Sequence, residues 1–428
     1  MYRILLALPA VMLTPVAAIA QEAQVIPDAP AQESRVEQRA QDILSVMRGE
    51  LAYDAVFSQS FRDQVAEAQF QGITGQLEAQ FGPLIGLESI NALSATAAEV
   101  QIRFERGLAS GNVNLEDAAP NYVNGFLLTG VEPINDSVEA LLEDMSALPG
   151  ETNLLIAPLD GGEPIAAHSA EMPLALGSTF KLYVLSALVQ SIAAGEHSWD
   201  EVVPLAEASF PSGVLQDWPQ GSPLTLHTLA TLMISISDNT ATDQLIAVLG
   251  RDAVAAEVAA SGHSNPALMI PFMTTRELFL LKSGVEGEID SYREADGAER
   301  LAMLEAFGDA DRSQQEIMAA FTGGPNAIDI EWFASPLDIA AVYDRLRNDE
   351  TALGVLGVNP AMADGERANW EQVGFKGGSE PGVLNFSYVL QDPEGNWSVV
   401  TMGWNNPDAA VDTQQFNLLA MRAIALAR

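Results

Sequence analysis

The chain has 428 residues, 48% of them hydrophobic, with 58 acidic against 20 basic residues, a net charge of −38 and no Cys. That length and apolar content suffice for one large core or two smaller ones. The charge argues against nucleic acid or an anionic membrane as a partner, and the lack of Cys excludes a disulfide framework and lipid attachment at a Cys.

Residues 1–20 read as a secretory signal: Arg3 as the positive start, Ile4 to Leu13 as the apolar stretch, and Ala18-Ile19-Ala20 as the cleavage site. Pro9 and Pro15 interrupt the apolar run, which is too short for a membrane span, so an exported chain without a membrane anchor is expected, periplasmic or secreted. Residues 21–34 are polar and rich in Ala, Pro and Gln, the composition of a disordered leader.

From residue 35 to 133 the pattern predicts a small α+β domain. Val36, Ala40, Ile43, Leu44 and Met47 recur at helical spacing, with Ser34 and Glu37 as a capping box. A second helix is predicted over 63–80. Strands follow at Pro83–Ile90, Glu99–Arg106, Asn112–Leu115 and Tyr122–Leu128, punctuated by Gly107, Gly111 and Gly125.

Residues 134–428 form the second unit. A helix over Ser137–Leu148, capped by Asn135 or Asp136, precedes strands Thr152–Pro158 and Pro164–Ser169, joined at Asp160-Gly161-Gly162. Helices are predicted from Ser178 to about Ala194, over Leu224–Ser235, and over Thr240–Leu249, which stops at Gly250. Residues 263–333 are mixed and partly helical. Three strands, about 371–379, 382–391 and 396–404, and a final amphipathic helix over 412–427 close the chain. Strands at both ends with helices between them predict an antiparallel sheet beside a helical subdomain.

Three lysines occur in the chain: Lys181, Lys282 and Lys376. Lys can lose its proton where Arg cannot. Lys181 closes Ser178-Thr179-Phe180-Lys181, and Lys376 opens Lys376-Gly377-Gly378. On a helix, positions i and i+3 share a face, so Lys181 is placed to act as a base for Ser178. A neutral amine is needed, and apolar surroundings with a second cation, Lys376, would favour it. Ser237-Asp238-Asn239 falls between two helices. Ser237 is a candidate proton relay and Asn239 a partner for the Lys181 amine or a substrate amide, while Asp238 reads as a turn and capping residue. Gly377 and Gly378 allow close backbone approach, and the Ser379 and Ser178 amides could form an oxyanion hole. Ser-x-x-Lys alone arises by chance in about one chain in six of this composition, and Ser-Asp-Asn in roughly one in twenty. All three motifs in this order point to serine acyl transfer. The four His residues show no metal-ligand spacing, and neither a metal nor a cofactor is expected.

Ser178-x-x-Lys181, Ser237-Asp238-Asn239 and Lys376-Gly377-Gly378 together resemble the penicillin-recognising serine hydrolases, class A β-lactamases most closely. Ser335-Pro336-Leu337-Asp338-Ile339-Ala340 is similar to the Thr-Pro-x-x-Met-Ala segment of that class. The resemblance implies a β-lactamase/transpeptidase-like domain. The two-domain layout, and Phe375 before the strand lysine, resemble the esterase/β-lactamase-like proteins of clavulanic acid gene clusters and related mycobacterial lipoproteins. That layout implies a steroid-isomerase-like (NTF2-like) fold for residues 35–133, read as a packing or substrate-covering module because fold alone does not carry function. The resemblance also places Asn239, Phe375, Gly377, Gly378 and Ser379 at the substrate.

The chain departs from class A at three places. The Glu-x-x-Leu-Asn of the deacylating step is absent between Asn239 and Ser335, where Glu277, Glu331 or another carboxylate is the candidate substitute. Gly377 stands where Thr is usual. No Arg has a clear carboxylate-binding position; Arg422 on the last helix is the candidate, and it reads more readily as a surface residue. Acylation of Ser178 by an ester or β-lactam-type small molecule is therefore expected, with weak or atypical β-lactamase activity. A penicillin-binding-type D-Ala-D-Ala peptidase and a non-catalytic binding protein are the competing readings. A Ser-His-Asp hydrolase is disfavoured, since Gly-x-Ser-x-Gly does not occur. The sequence leaves the oligomeric state open.

Overall fold

In a computed structural model, the structure describes residues 35–284, 286–308 and 312–428. The secretory signal and the leader read from the sequence lie outside these residues, as does Ser34 of the expected first cap.

Residues 35–133 build a four-stranded antiparallel meander from Leu84–Ala92, Ala97–Phe104, Gly107–Leu115 and Val123–Pro133, paired in chain order. Burial alternates along the two middle strands, so one face is covered and the other meets solvent. The helices Arg35–Met47 and Glu67–Phe81 supply the cover, with Val36, Ile43, Leu44 and Phe81 packed against Val100, Ile102 and Phe104. The third strand starts at Gly107 rather than near 112, because its first half, Gly-Leu-Ala-Ser-Gly, lacks the β-branched signal. Its register slips between Ser110 and Gly111, where a Cβ would stand 2.7 Å from the Leu127 carbonyl oxygen. The helix expected over 63–80 begins at Glu67, after two short helical turns at Tyr53–Val56 and Gln59–Arg62.

The second sheet has five antiparallel strands in the order Gln372–Glu380, Val383–Gln391, Trp397–Asn405, Glu151–Pro158, Ala166–His168. Its outer face is covered by Val138–Ser146 and Thr413–Leu426 through Leu141, Met145, Phe416 and Leu419. The helical body is built around Lys181–Ala193, whose first nine residues are all buried. A helix apolar on every side belongs inside a core. Among the described residues no helix is long and apolar enough to cross a membrane. The mixed segment after 263 resolves into helices at Thr275–Lys282, Glu286–Glu294, Gly297–Gly308 and Gln314–Ala319.

Two local expectations are corrected. The cap of the Val138–Ser146 helix is Ser137, whose Oγ accepts from the Ala140 amide at 3.2 Å. Asp136 is committed elsewhere: its carboxylate accepts from Arg422 Nε at 2.6 Å and Nη2 at 3.0 Å. Arg422 is therefore not a surface residue. It is completely buried and ties Asp136, Asp144 and the Gln80 side chain of the N-terminal unit to the last helix. A bidentate guanidinium–carboxylate pair is what makes burying this charge tolerable. Arg422→Ala should cost about 3–5 kcal/mol of stability by stranding the Asp136 carboxylate. Urea unfolding of the two proteins side by side measures this, and an unchanged midpoint would refute it.

Candidate active site

Ser178 lies in a tight 3-10 turn, Gly177–Phe180, that runs directly into the Lys181–Ala193 helix. The turn is pressed against the edge strand Gln372–Glu380. A Cβ on Gly378 would stand 2.0 Å from the Leu176 carbonyl oxygen and 2.6 Å from the Ser178 amide nitrogen. From the other side, Gly177 adopts φ +50°, and a Cβ there would lie 2.8 Å from the Ser379 amide nitrogen. No side chain fits in this seam. Its closeness brings the backbone amides of Ser178 and Ser379 together, an arrangement that can receive a developing oxyanion.

Behind the turn, the Lys181 amine donates to the Ser237 carbonyl oxygen at 2.7 Å and to Asn239 Oδ1 at 2.7 Å, and stands 3.1 Å from Ser237 Oγ. The Lys376 amine reaches the same Ser237 Oγ at 3.1 Å and the Gly377 carbonyl oxygen at 2.5 Å. Both lysines are buried. Burial, and then the charge of Lys376, push the Lys181 amine well below the usual lysine range, with Asp243 and Asp238 opposing the shift. Burial pushes Lys376 down to about 7. The Lys181 hydrogen bonds do not include Ser178, although the sequence spacing puts the two on one helical face. Ser178 itself is partly exposed and makes no side-chain hydrogen bond among the described residues.

Ser237 is held at φ 56°, a left-handed backbone that a non-glycine residue adopts only when its surroundings enforce it. Asp238 provides the enforcement. Its carboxylate caps the Asn239–Leu249 helix through the Ala241 amide at 2.8 Å and accepts the Val214 and Leu215 amides at 2.7 and 3.0 Å. The structural role expected for Asp238 is what the hydrogen bonds show. Asn239 spends its Nδ2 on the Phe210 carbonyl at 3.0 Å, which fixes its Oδ1 toward Lys181.

Ser178, Ser237, Asn239, Gly377 and Ser379 line one cavity of about 400 Å³. Gly378 lies in the seam against the Ser178 turn, and Lys181 and Lys376 reach Ser237 from outside the lining. Phe375 does not face it. Strand alternation turns that ring to the opposite side of the sheet, 4.6 Å from the ring of Tyr388, so the substrate contact expected for it is corrected to a core contact. Glu277 is also set apart, engaged by Arg251 at 2.5 and 3.0 Å and by the cap of its own helix. Glu331, the other carboxylate weighed from the sequence, does line the cavity, together with Glu380. Both are bound to the buried Lys282, at 3.1 and 2.5 Å. Burial next to Glu331 pushes the Glu380 carboxyl up to about 8. The aromatic wall of Phe180, Phe279, Phe321 and Trp332 was not singled out by the sequence, because its members come from four separate segments. Among the described residues no cluster has the makings of a metal site.

Residues 133–301 match the family model Beta-lactamase2, the beta-lactamase enzyme family. The chain thus carries a β-lactamase-like serine hydrolase domain, as its motifs lead one to expect. The search of curated proteins finds no match. Among solved structures, a β-lactamase from Sphaerobacter thermophilus is 25% identical, with 68% of this chain and 94% of that one covered at a TM-score of 0.45. A β-lactamase from Chitinophaga pinensis is 16% identical, with 67% and 96% covered and a TM-score of 0.47. A protein described as PBP-A is 17% identical, with 68% and 93% covered and a TM-score of 0.46.

Two predictions come from this geometry. Gly378→Ala should abolish labelling of Ser178 by acylating reagents, because the strand must move off the turn. Intact-mass measurement reads the adduct, and full labelling would sink the argument. Lys376 has a folded pKa near 7, below its ordinary 10.5. Between those values the unfolded chain binds the extra proton, so this lysine's contribution to stability improves as pH rises. The stability difference between wild type and Lys376→Met should therefore shift in favour of wild type from pH 7 to 10, by up to ~1.4 kcal/mol per unit. A difference independent of pH would refute it.

Proposed function

We propose that this protein is an exported serine hydrolase that attacks ester or β-lactam-type carbonyls through an acyl-Ser178 intermediate. The observation that carries the reading is the convergence of two buried, pKa-depressed lysines on Ser237, beside the cavity that holds Ser178. A neutral amine has two N–H donors and one lone pair. The Ser237 carbonyl and Asn239 Oδ1, both at 2.7 Å, take the two donors of Lys181 and leave its lone pair as the acceptor. Lys181 is then the base that receives the Ser178 proton as Ser178 Oγ bonds to the substrate carbonyl carbon.

The carbonyl oxygen becomes an oxyanion facing the Ser178 and Ser379 amides. On collapse, the bond to the leaving group breaks, and the leaving atom takes a proton from Ser237 Oγ. The Lys181 ammonium returns that proton across 3.1 Å. Water then cleaves the acyl ester and regenerates Ser178. Lys376 keeps Ser237 oriented and disfavours charge on Lys181. Export rests on the signal-like first twenty residues.

Wild type incubated with an activated ester or a penicillin should gain one acyl mass on Ser178, which Ser178→Ala should not gain. Because Lys181 must be neutral, the acylation rate should rise with pH until that amine is fully deprotonated. Unchanged turnover by Ser178→Ala would end this reading.

A further inference from the structure

The carboxylate of a β-lactam, or the C-terminal carboxylate of a peptide, needs a cation with an open hydrogen-bonding direction. Among the described residues lining the Ser178 cavity there is no Arg and no Lys; the acidic side chains there are Glu331 and Glu380. The amines of Lys181 and Lys376 lie outside that lining and donate to oxygens of the surrounding loop and strand. Lys376 is held by Ser237 Oγ and the Gly377 carbonyl, and Lys181 by Ser237 and Asn239. Gly377 offers no hydroxyl. Lys282 pairs with both carboxyl groups but is wholly buried and does not line the cavity, whereas Glu331 and Glu380 do.

The rest of the wall is apolar or neutral. Phe279 and Phe321 pack with ring centroids 4.8 Å apart, and Phe180 stacks on Trp332 at 3.6 Å. The Trp332 Nε1 is itself buried without a hydrogen-bond partner, so that ring adds no charge to the wall. An anion entering this space would lose water without gaining a cation, and would meet like charge once Glu380 ionises, with the net charge of −38 repelling it at longer range.

The geometry points to a substrate that carries no carboxylate: an uncharged ester whose apolar part packs against Phe279, Phe321 and Trp332. This rests on the acyl-Ser178 reading above and narrows it. The penicillin carboxylate is then a liability rather than a handle.

The test compares matched substrates on the full chain. 4-Nitrophenyl butyrate and 4-nitrophenyl hydrogen succinate have the same acyl length and differ by one terminal carboxylate. Penicillin G and its methyl ester differ likewise. In both pairs the uncharged member should react faster with Ser178, by about tenfold or more in kcat/KM or adduct-formation rate, the scale of partly desolvating a carboxylate with no cation to receive it. Burial beside Glu331 raises the Glu380 carboxyl far above the usual carboxylate range, to about 8, so raising the pH through neutrality turns it from carboxylic acid to carboxylate. The preference should therefore widen from pH 6.5 to 9 in wild type, and widen less in Glu380→Gln. Lys376, Lys181, Lys282 and Glu331 remain in both proteins, so the difference between the two profiles isolates Glu380. Equal or faster reaction of the anionic member in either pair overturns the inference, as does an identical pH profile in Glu380→Gln. No adduct from any of the four compounds would instead defeat the acyl-Ser178 reading itself.

Discussion

Two lysine amines share one hydroxyl, and the rest of the site is arranged around that arrangement. Burying an ammonium is costly, and burying two within reach of the same Ser237 Oγ is costlier, because each disfavours the charge of the other. The fold answers with carbonyl oxygens rather than with carboxylate contacts. Ser237, Gly377 and Asn239 each present an oxygen to an amine, which a neutral amine can satisfy as well as a charged one. Asp243 and Asp238 raise the Lys181 pKa only from a distance, since their own oxygens are committed to backbone amides and to Thr275. A direct carboxylate partner would have fixed Lys181 as a cation and removed its use as a base.

That arrangement needs three segments held within a few ångströms, and each is pinned by a different physical device. The turn bearing Ser178 is pinned by steric closeness, with glycine on both sides of the seam. The loop bearing Ser237 is pinned by the Asp238 carboxylate, which uses three backbone amides to stabilise a left-handed residue. The strand bearing Lys376 is pinned by the sheet, where Lys376 opposes Ser387 and Ser379 opposes Leu384. The sheet is in turn backed by the last helix. Through Arg422 that helix also fastens the N-terminal unit, so the two cores meet at a buried charge network.

Much of this was legible in the sequence, for identifiable reasons. The chemical motifs are local, three or four residues each, and Ser-x-x-Lys, Ser-Asp-Asn and Lys-Gly-Gly carry their meaning in spacing. The long strands near the C-terminus were readable because β-branched and aromatic residues dominate them and Asp392-Pro393-Glu394-Gly395 marks the turn. What was not readable depends on tertiary pairing. Arg422 looks like any helix-surface Arg until Asp136, 286 positions away, is brought against it. Phe375 sits beside a site lysine in sequence, and strand alternation sends it to the other face. Glu331 was one carboxylate among many until the chain folded it onto Lys282, and Glu380 joined it from the edge strand.

The three lysines show the same principle with opposite outcomes. All are buried, at 0, 1 and 3% exposure for Lys181, Lys282 and Lys376, so among the described residues no lysine serves the surface. Desolvation lowers the pKa of each. For Lys181 and Lys376 it prevails, because their partners are mainly neutral oxygens. For Lys282 it loses to Glu331 and Glu380, and the amine stays charged. One residue type therefore supplies an amine able to give up its proton in one place and a permanent cation in another, and the contacting oxygens decide which. Arg could replace Lys282 in charge, given space for its planar head, but it could not lose a proton at position 181. The scarcity of lysine in this chain is thus most restrictive at the position where the amine must be neutral for Ser178 to act as a nucleophile.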